Sequence, residues 1–459
     1  MPTLTLQQIR AGTGGIILSG RNDGAFSRFT IDSRAAGPGD FFFAIKGRSL
    51  DGHDFLSDAV SKGARGLAAH RDMDELRLFP AVIMVKDTTR ALHDLASWVR
   101  RQSEVTVIGV TGTTGKTTTK DFIATLLGKN VLKSEGNLNN QYGLPVSLLR
   151  LQPKQRFAVL EMGMSTPGEI ASLCRISAPS VGVVTNISPV HMETMGSIRN
   201  VALAKAELLD ALPRDGLAVI NGDDSWVVRM SRRFKGRILS YGFQEHNRYR
   251  ATHIRFLGVR GMSFTLVVGS RRFPVTARVI GKHALANLLA AVAVADGLGV
   301  PIPTILRRIP SVRPAGLRGE IVKLPNGALV LNDAYNSNPR ALHAAVEMLA
   351  GFPCSGRRVL VAGDMLELGT QSRALHTQAG RFIGNQKKIS MLITVGPQAT
   401  LLADGARRSA YRGEIQSFRN AGDAAAFLRN YTQRGDVILV KGSRGIALER
   451  AIEALKEPL

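Results

Sequence analysis

Three observations in the 459-residue sequence predict an α/β protein built from three units. From Val105 onward short apolar runs alternate with longer helical stretches, the pattern of mainly parallel sheets covered on both faces. At roughly 150 residues per domain, the chain is too long for a single core. Two stretches divide it: the helical run TTRALHDLASWVRRQS ahead of Val105 and the Pro/Gly-rich link RRIPSVRPAGLRGE. Units are therefore expected over residues 1–99, 100–311 and 312–459.

In the first unit the strand-like FTIDSR and GDFFFAIKG alternate with the helical DFLSDAVSKGA, and AVIMVKD closes a small mixed α/β domain. The helix TTRALHDLASWVRRQS follows as an expected hinge. The second unit repeats strand, loop and helix in VTVIGVTG, KTTTKDFIATLLGK, FAVLEMG, PGEIASLCRISAP, VGVVTNI and VALAKAELLDAL. This predicts a doubly wound, mainly parallel sheet with ligands at the carboxyl ends of its strands. Residues 227–283 alternate apolar and polar side chains, as strands added to that sheet would. ALVLNDAY, PRALHAAVEMLAG, RRVLVAGDM, MLITVG, AAAFLRNYT and DVILVKGS give the third unit a second alternating set, expected to be Rossmann-like.

Sixty Lys and Arg stand against 36 Asp and Glu, a formal charge of +24. The excess is central, with 27 basic against 13 acidic residues over 101–311. Within Val227–His283 the single carboxylate is Glu245. Arg232, Arg233, Arg248, Arg250, Arg271 and Arg272 could bind a polyanion, but the alternation of apolar and polar residues favours the basic solvent face of a sheet. Cys174 and Cys354 stand far apart with no ligand-spaced partner, which excludes a zinc site or a disulfide framework and leaves two reduced core residues. MPTLTLQQIR lacks a basic and then apolar leader, and no apolar run approaches the roughly 20 residues of a membrane span. A soluble, cytoplasmic protein is expected.

The stretch VIGVTGTTGKTTTK sets a glycine-rich loop between a strand and a helix. The common phosphate-loop signature fits at Gly115, Lys116 and Thr117, but Val110 stands where its first glycine belongs. The chemistry tolerates this, because a phosphate needs backbone N–H groups at a helix N-terminus. Gly112, Thr113, Thr114, Gly115 and Thr118 provide the loop and first turn, and the helix dipole favours the anion. Lys116 would meet the terminal phosphates and the Thr117 hydroxyl would hold Mg²⁺, so ATP and Mg²⁺ are the expected cofactors. Glu161 ends FAVLEMG at the edge where a second metal ligand is needed, although a strand-end carboxylate is usually just solvated. His191 follows another strand end and Lys205 lies in VALAKAELLDAL. Read alone, these two are a polar loop residue and a helix-surface cation.

Together these elements resemble the Mur ligase family, ATP-dependent amide-forming enzymes of peptidoglycan precursor synthesis, whose loop is Thr-Gly-x-x-Gly-Lys-Thr without the earlier glycine. The resemblance spans essentially the whole chain, through TIDSR, IKGRSLDGHDF, EGNLNNQYGLPVSLL, NDAYNSNPRAL, VAGDMLELG and VKGSRG. Within the family these motifs are most similar to the branch that joins UDP-N-acetylmuramoyl-tripeptide to D-Ala-D-Ala. The resemblance implies an acyl-phosphate mechanism. It also implies that Lys116 and Thr117 hold phosphates and one Mg²⁺, that Glu161 and His191 are metal ligands, and that Lys205 is carbamylated into a carboxylate-like ligand. Asn287 matches an adenine-contacting asparagine, and Arg318, Asp333 and Asn336 match ATP-binding positions of the last domain. Ser33, Arg34, Lys46, Gly47, Asp51, Gly52 and His53 are similar to the family's uridine diphosphate site, and Asn137, Asn139 and Asn140 to groups for the muramoyl peptide. Asn338, Asp364, Glu367, Lys441 and Arg444, with Asn336, are implied to orient the dipeptide, while a strand-to-helix cap equally explains DMLELG. One departure is Ala284 after His283, where many relatives have asparagine.

The alternatives are the preceding ligase of the series, whose Asp-Asn-Pro-Arg signature is not found here, and a non-catalytic sugar-nucleotide sensor. Retention of Lys116, Glu161, His191 and Lys205 together argues against the sensor. The expected partners are small-molecule substrates, with a monomeric chain, no specific nucleic acid and a weak association of the basic face with the anionic inner membrane.

Overall fold

The computed structural model describes residues 3–21, 24–47, 49–314 and 316–456, so Arg48 of the Lys46–His53 stretch and Ala315 of the second link lie outside the described residues. Three main sheets follow one another along the chain. The first has five strands in the order Ile16–Ser19, Ala81–Met84, Gly66–Ala69, Phe41–Phe43 and Phe29–Thr30. All pair in parallel except Ile16–Ser19, which is antiparallel at the edge. Phe26, Phe29, Phe41 and Phe43 form an aromatic cluster beneath it, with Phe26 set edge-on to Phe41 at 5.1 Å.

The helix Thr88–Arg101 starts where the Asp87 carboxylate accepts the Arg90 N–H. The helix, where the sequence places a hinge, packs on Leu6–Thr13 of the first unit and is also tied to the second. It packs on Gly143–Leu148 and Glu169–Ser177, His93 Nε2 lies 2.7 Å from the Gln141 carbonyl, and Arg100 Nε donates to the Ser177 carbonyl.

In the nine-stranded second sheet, β1 (Thr106–Thr111) lies between β2 (Phe157–Glu161) and β3 (Val181–Val184). Val131–Lys133 extends the parallel pairing beyond β2, and Leu217–Asn221 and Arg237–Gly242 extend it beyond β3. Strands buried on both faces must be apolar throughout, and Val107, Ile108, Val110, Val183 and Val219 are wholly buried. Residues 249–277 form the added β segment, in which Tyr249–Phe256 joins in parallel and Met262–Val268 and Arg271–Ala277 complete an antiparallel meander.

The third sheet runs Glu320–Lys323, Leu329–Asn332, Val437–Lys441, Arg358–Gly363, Met391–Val395 and Glu414–Phe418, parallel except for its first strand. The two edge strands are not legible in the sequence, because they bury no continuous apolar face. At the other end of this unit the Asp436 carboxylate is buried against Arg357, whose Nη2 is 2.7 Å from Oδ2 and whose guanidinium lies over the Tyr431 ring. Burial raises the Asp436 pKa, but the hydrogen bonds from Arg357 outweigh it and hold the group below its ordinary 3.8.

Arg357→Met leaves that carboxylate buried without its partner and is expected to cost about 3–5 kcal/mol at pH 7. A group with a depressed folded pKa contributes stability above its ordinary value and loses it as pH falls through the folded one. Urea midpoints of wild type and variant should therefore converge as pH is lowered below 3.8; a gap independent of pH would contradict the pairing.

Candidate active site

The phosphate loop connects β1 to α1 (Lys116–Leu127). Gly112 has φ +145° and a Cβ there would lie 1.9 Å from Thr185 Oγ1, while Gly115 has φ +81° and its Cβ would lie 2.5 Å from Asn287 Oδ1. Only glycine fits either place. Asn186, which the sequence reading misses, shapes the loop. Its Oδ1 accepts both the N–H and the hydroxyl of Thr114 at 3.1 Å, and its carbonyl accepts the Thr113 N–H at 2.9 Å. The polar VTNIS after an apolar strand was its one sequence signal. Two loop N–H groups are thereby occupied. The first hydrogen bond of α1 is Thr119 N–H to the Gly115 carbonyl, which leaves the N–H groups of Lys116, Thr117 and Thr118 without intrahelical acceptors. The anion-receptive part is therefore the helix end. Lys116 folds back, its Nζ 3.1 Å from the Gly112 carbonyl.

Glu161, at the end of β2, is 3 % exposed and held on three sides. Its Oε2 accepts the Thr117 hydroxyl at 2.6 Å, its Oε1 accepts the Asn139 amide at 2.8 Å, and its N–H donates to Ser134 Oγ at 3.0 Å. Lys205, on α2 (Ile198–Asp210), is equally buried and has no hydrogen-bond or ion-pair partner among the described residues. Burial pulls its pKa well below 10.5, and the charge of Lys116 adds to the effect. His191 has a left-handed backbone, φ 50°, and its Nδ1 lies 3.3 Å from Glu367 Oε2 of the third unit. Burial lowers its pKa against the opposing charge of Glu367.

These side chains meet at a cavity of about 770 Å³. The first unit contributes Gly47, the second Gly112, Thr113, Lys116, Asn139, Asn140, His191 and Lys205, and the third Asn336, Asn338, Leu366 and Glu367. Gln141, Tyr142 and Leu366 are lining residues beyond those singled out in the sequence. Thr117, Glu161 and the buried Asn287 sit behind the wall at the loop. In the third unit Lys441 Nζ is 2.6 Å from Asp333 at the ends of adjacent strands and also donates to the Asn336 carbonyl. The Arg318 guanidinium lies 3.7 Å from the Tyr335 ring centre.

Other expected site residues do not line the cavity. Asp364 accepts the Ala399 N–H at 2.6 Å, a contact 35 residues away rather than a cap of the helix that follows DMLELG. Arg444 pairs with Glu449, and Arg34 with Asp32. Ser33 is buried, and Gly52 packs on the Ile45 N–H, where a Cβ would lie 2.6 Å away. His53 Nδ1 lies 2.6 Å from Asp51 Oδ1 while its Nε2 accepts the His70 N–H, so both ring nitrogens are engaged within the first unit. Lys46 bridges backbone to Asp51, and Asn137 is exposed off the wall. No group of three or more His, Cys, Asp and Glu gathers as a metal site among the described residues. No helix among them is long and apolar enough to cross a membrane.

A phosphate loop on a parallel sheet, facing a second parallel sheet across a shared cavity, defines a phosphate-loop enzyme that acts between α/β units. Family models match this chain as the Mur ligase middle domain over residues 110–295, the Mur ligase, glutamate ligase domain over 317–444, and the Mur ligase family, catalytic domain over 26–98. The chain belongs to the Mur ligase family. It is 34% identical to the UDP-N-acetylmuramoyl-tripeptide--D-alanyl-D-alanine ligase of Escherichia coli (strain K12), over 100% of this chain and 99% of that one. It is 33% identical to the ligase of the same name from Bacillus subtilis (strain 168), over 93% and 92%. A crystal structure of MurF from Acinetobacter baumannii superposes with a TM-score of 0.89 at 29% identity over 100% of both chains. The MurF ligase of Thermotoga maritima, in complex with ADP, superposes with a TM-score of 0.82 at 28% identity over 94% of this chain and 97% of that one.

Gly115→Ala should weaken ADP binding about tenfold or more, because the loop must shift off Asn287 or abandon its left-handed turn. Calorimetric titration of ADP measures this; unchanged affinity in a folded variant would contradict the assigned loop geometry.

Proposed function

We propose that the protein joins the carboxyl end of UDP-N-acetylmuramoyl-tripeptide to the amine of D-Ala-D-Ala, with ATP converted to ADP and phosphate, in peptidoglycan precursor synthesis. The observation that carries this reading is the shared cavity, in which Lys116, Lys205 and Glu367 from two units face one space, in a chain matched end to end by ligases of that name. In the proposed division, residues 1–99 bind the UDP-sugar, 100–311 bind ATP and 312–459 complete the site. Gly47 and the Lys46–His53 loop would border the sugar-nucleotide, and Asn139 and Asn140 the muramoyl peptide. Asn336, Asn338 and Glu367 would border the dipeptide.

The tripeptide carboxylate attacks the γ-phosphorus and the bond to the β-phosphate oxygen breaks, giving ADP and an acyl phosphate. The dipeptide amine then adds to the acyl carbon, and phosphate leaves as the amine proton is lost. Such transfers depend on charge neutralisation and placement more than on a protein nucleophile. Lys116 and the open N–H groups of α1 supply both, and Asn287, Arg318 and Asp333 are proposed to border the nucleotide. The oxygen donors Thr117 and Glu161 suit a hard divalent cation, with His191 and a carbamylated Lys205 completing the proposed set. Mg²⁺ bound there would offset the phosphate charge. A lysine without a counter-ion and with a depressed pKa presents a free amine, which adds to CO₂ with loss of one proton to give the carbamate anion. That places a negative charge beside Lys116.

The antiparallel meander also supports a weak association with anionic membrane. Its rows Arg250, Val267, Arg272 and Arg255, Ser263, Thr276 share the face opposite the buried Ala251 and Leu266.

Phosphate release should require UDP-N-acetylmuramoyl-tripeptide and D-Ala-D-Ala together, with a product mass equal to their sum less water. Equal turnover with a free third amino acid and the UDP-dipeptide would overturn the substrate choice. Lys205→Ala should lower turnover by about 10³-fold or more, as loss of a charge-placing group does. Because the free amine is the reacting form, bicarbonate should restore CO₂-stripped wild type increasingly well as pH rises through the lowered Lys205 pKa, and leave the variant unchanged. Binding to anionic vesicles should fall steeply with salt, and Arg255→Gln with Arg272→Gln should reduce it without changing turnover.

A further inference from the structure

Lys120 sits one turn beyond Lys116 on α1, is 1 % exposed and is absent from the cavity wall. The chemistry above does not use it, and burying a lysine is costly where Phe122 and Ile123 show that apolar side chains fit the same helix. Its hydrogen-bond partner is the Ser134 carbonyl, 2.6 Å from Nζ. Ser134 is itself wholly buried, and its N–H donates to the Val159 carbonyl at 3.1 Å. Its hydroxyl accepts the main-chain N–H of Glu161 at 3.0 Å. Glu161 closes the circuit by accepting the hydroxyl of Thr117, three residues before Lys120 on the same helix. Ser134 also opens the segment that leads to Asn139, the other residue holding the Glu161 carboxylate. The neighbouring Asp121 is engaged by Lys133 at 2.7 Å, which leaves Lys120 to this ring.

We infer that Lys120 is a positioning residue for Glu161: it fixes Ser134, Ser134 fixes the main chain of Glu161, and the carboxylate is thereby held between Thr117 and Asn139 in the orientation that a divalent cation needs. This rests on the proposed role of Glu161 as a metal-facing carboxylate. Groups that orient a ligand from behind typically alter metal affinity by about 10–100-fold when removed.

The test is calorimetric titration of ADP into the full-length protein, once with Mg²⁺ and once with EDTA. Lys120→Met keeps the apolar stem and removes the donor; Ser134→Ala keeps the carbonyl and removes the hydroxyl. Each is expected to weaken ADP binding about tenfold in Mg²⁺ and under about twofold in EDTA. The double variant should be little weaker than either alone, because both act through one chain of contacts. Equal losses in Mg²⁺ and EDTA would make Lys120 merely structural, and wild-type affinity in both variants would end the idea. Should Lys120→Met fail to fold, Ser134→Ala decides by the same comparison. If wild type binds ADP identically in Mg²⁺ and EDTA, it is the metal-facing role of Glu161 that fails, a result separate from any difference among the variants.

Discussion

The 2.6 Å hydrogen bond from Thr117 to Glu161 is the contact on which the rest of the site depends. It joins the first turn of α1 to the end of β2, and so ties the phosphate loop to the strand beside it. Charge-assisted hydrogen bonds of this kind are stronger than neutral ones, most of all when buried. Asn139 holds the second carboxylate oxygen, which brings the loop after Val131–Lys133 into the same arrangement. Three chain segments distant in sequence are thereby registered on one carboxylate.

The electrostatics follow from that carboxylate. Lys116, Lys120 and Lys205 all have pKa values lowered first by burial, and Glu161 opposes the shift at Lys116 and Lys120. Lys205 has no such compensation, its next contribution being the like charge of Lys116. Lys116 and the N–H groups at the start of α1 leave this part of the cavity receptive to anions. The strained backbone of His191 and Glu367, both left-handed, falls at the contact between the second and third units, on the cavity wall.

Much of this was legible in the sequence because it rests on local rules. The alternating strands and helices of the second and third units are plain in their apolar runs, and the loop at Gly112–Thr117 is marked by glycines and a lysine at a strand-to-helix junction. The edge strands Glu320–Lys323 and Glu414–Phe418 were not, since an exposed edge imposes no periodic burial. The contacts that tie Thr88–Arg101 to the second unit were not legible for a related reason: those of His93 and Arg100 reach residues 48 and 77 positions away, which no local pattern reports.

By itself the sequence determined the α/β class, the phosphate loop and the residues able to bear charge, because backbone geometry and side-chain chemistry act over a few neighbours. Tertiary structure decided which of those residues share a cavity. Asp364 is spent on a helix end and His53 on a clamp, whereas Glu367 reaches His191 across two units. It also decided that Lys205 is left without a partner among the described residues and that Lys120 is given one carbonyl. Burial and pairing are properties of what packs around a side chain, and here that is supplied by strands and loops far away in the chain.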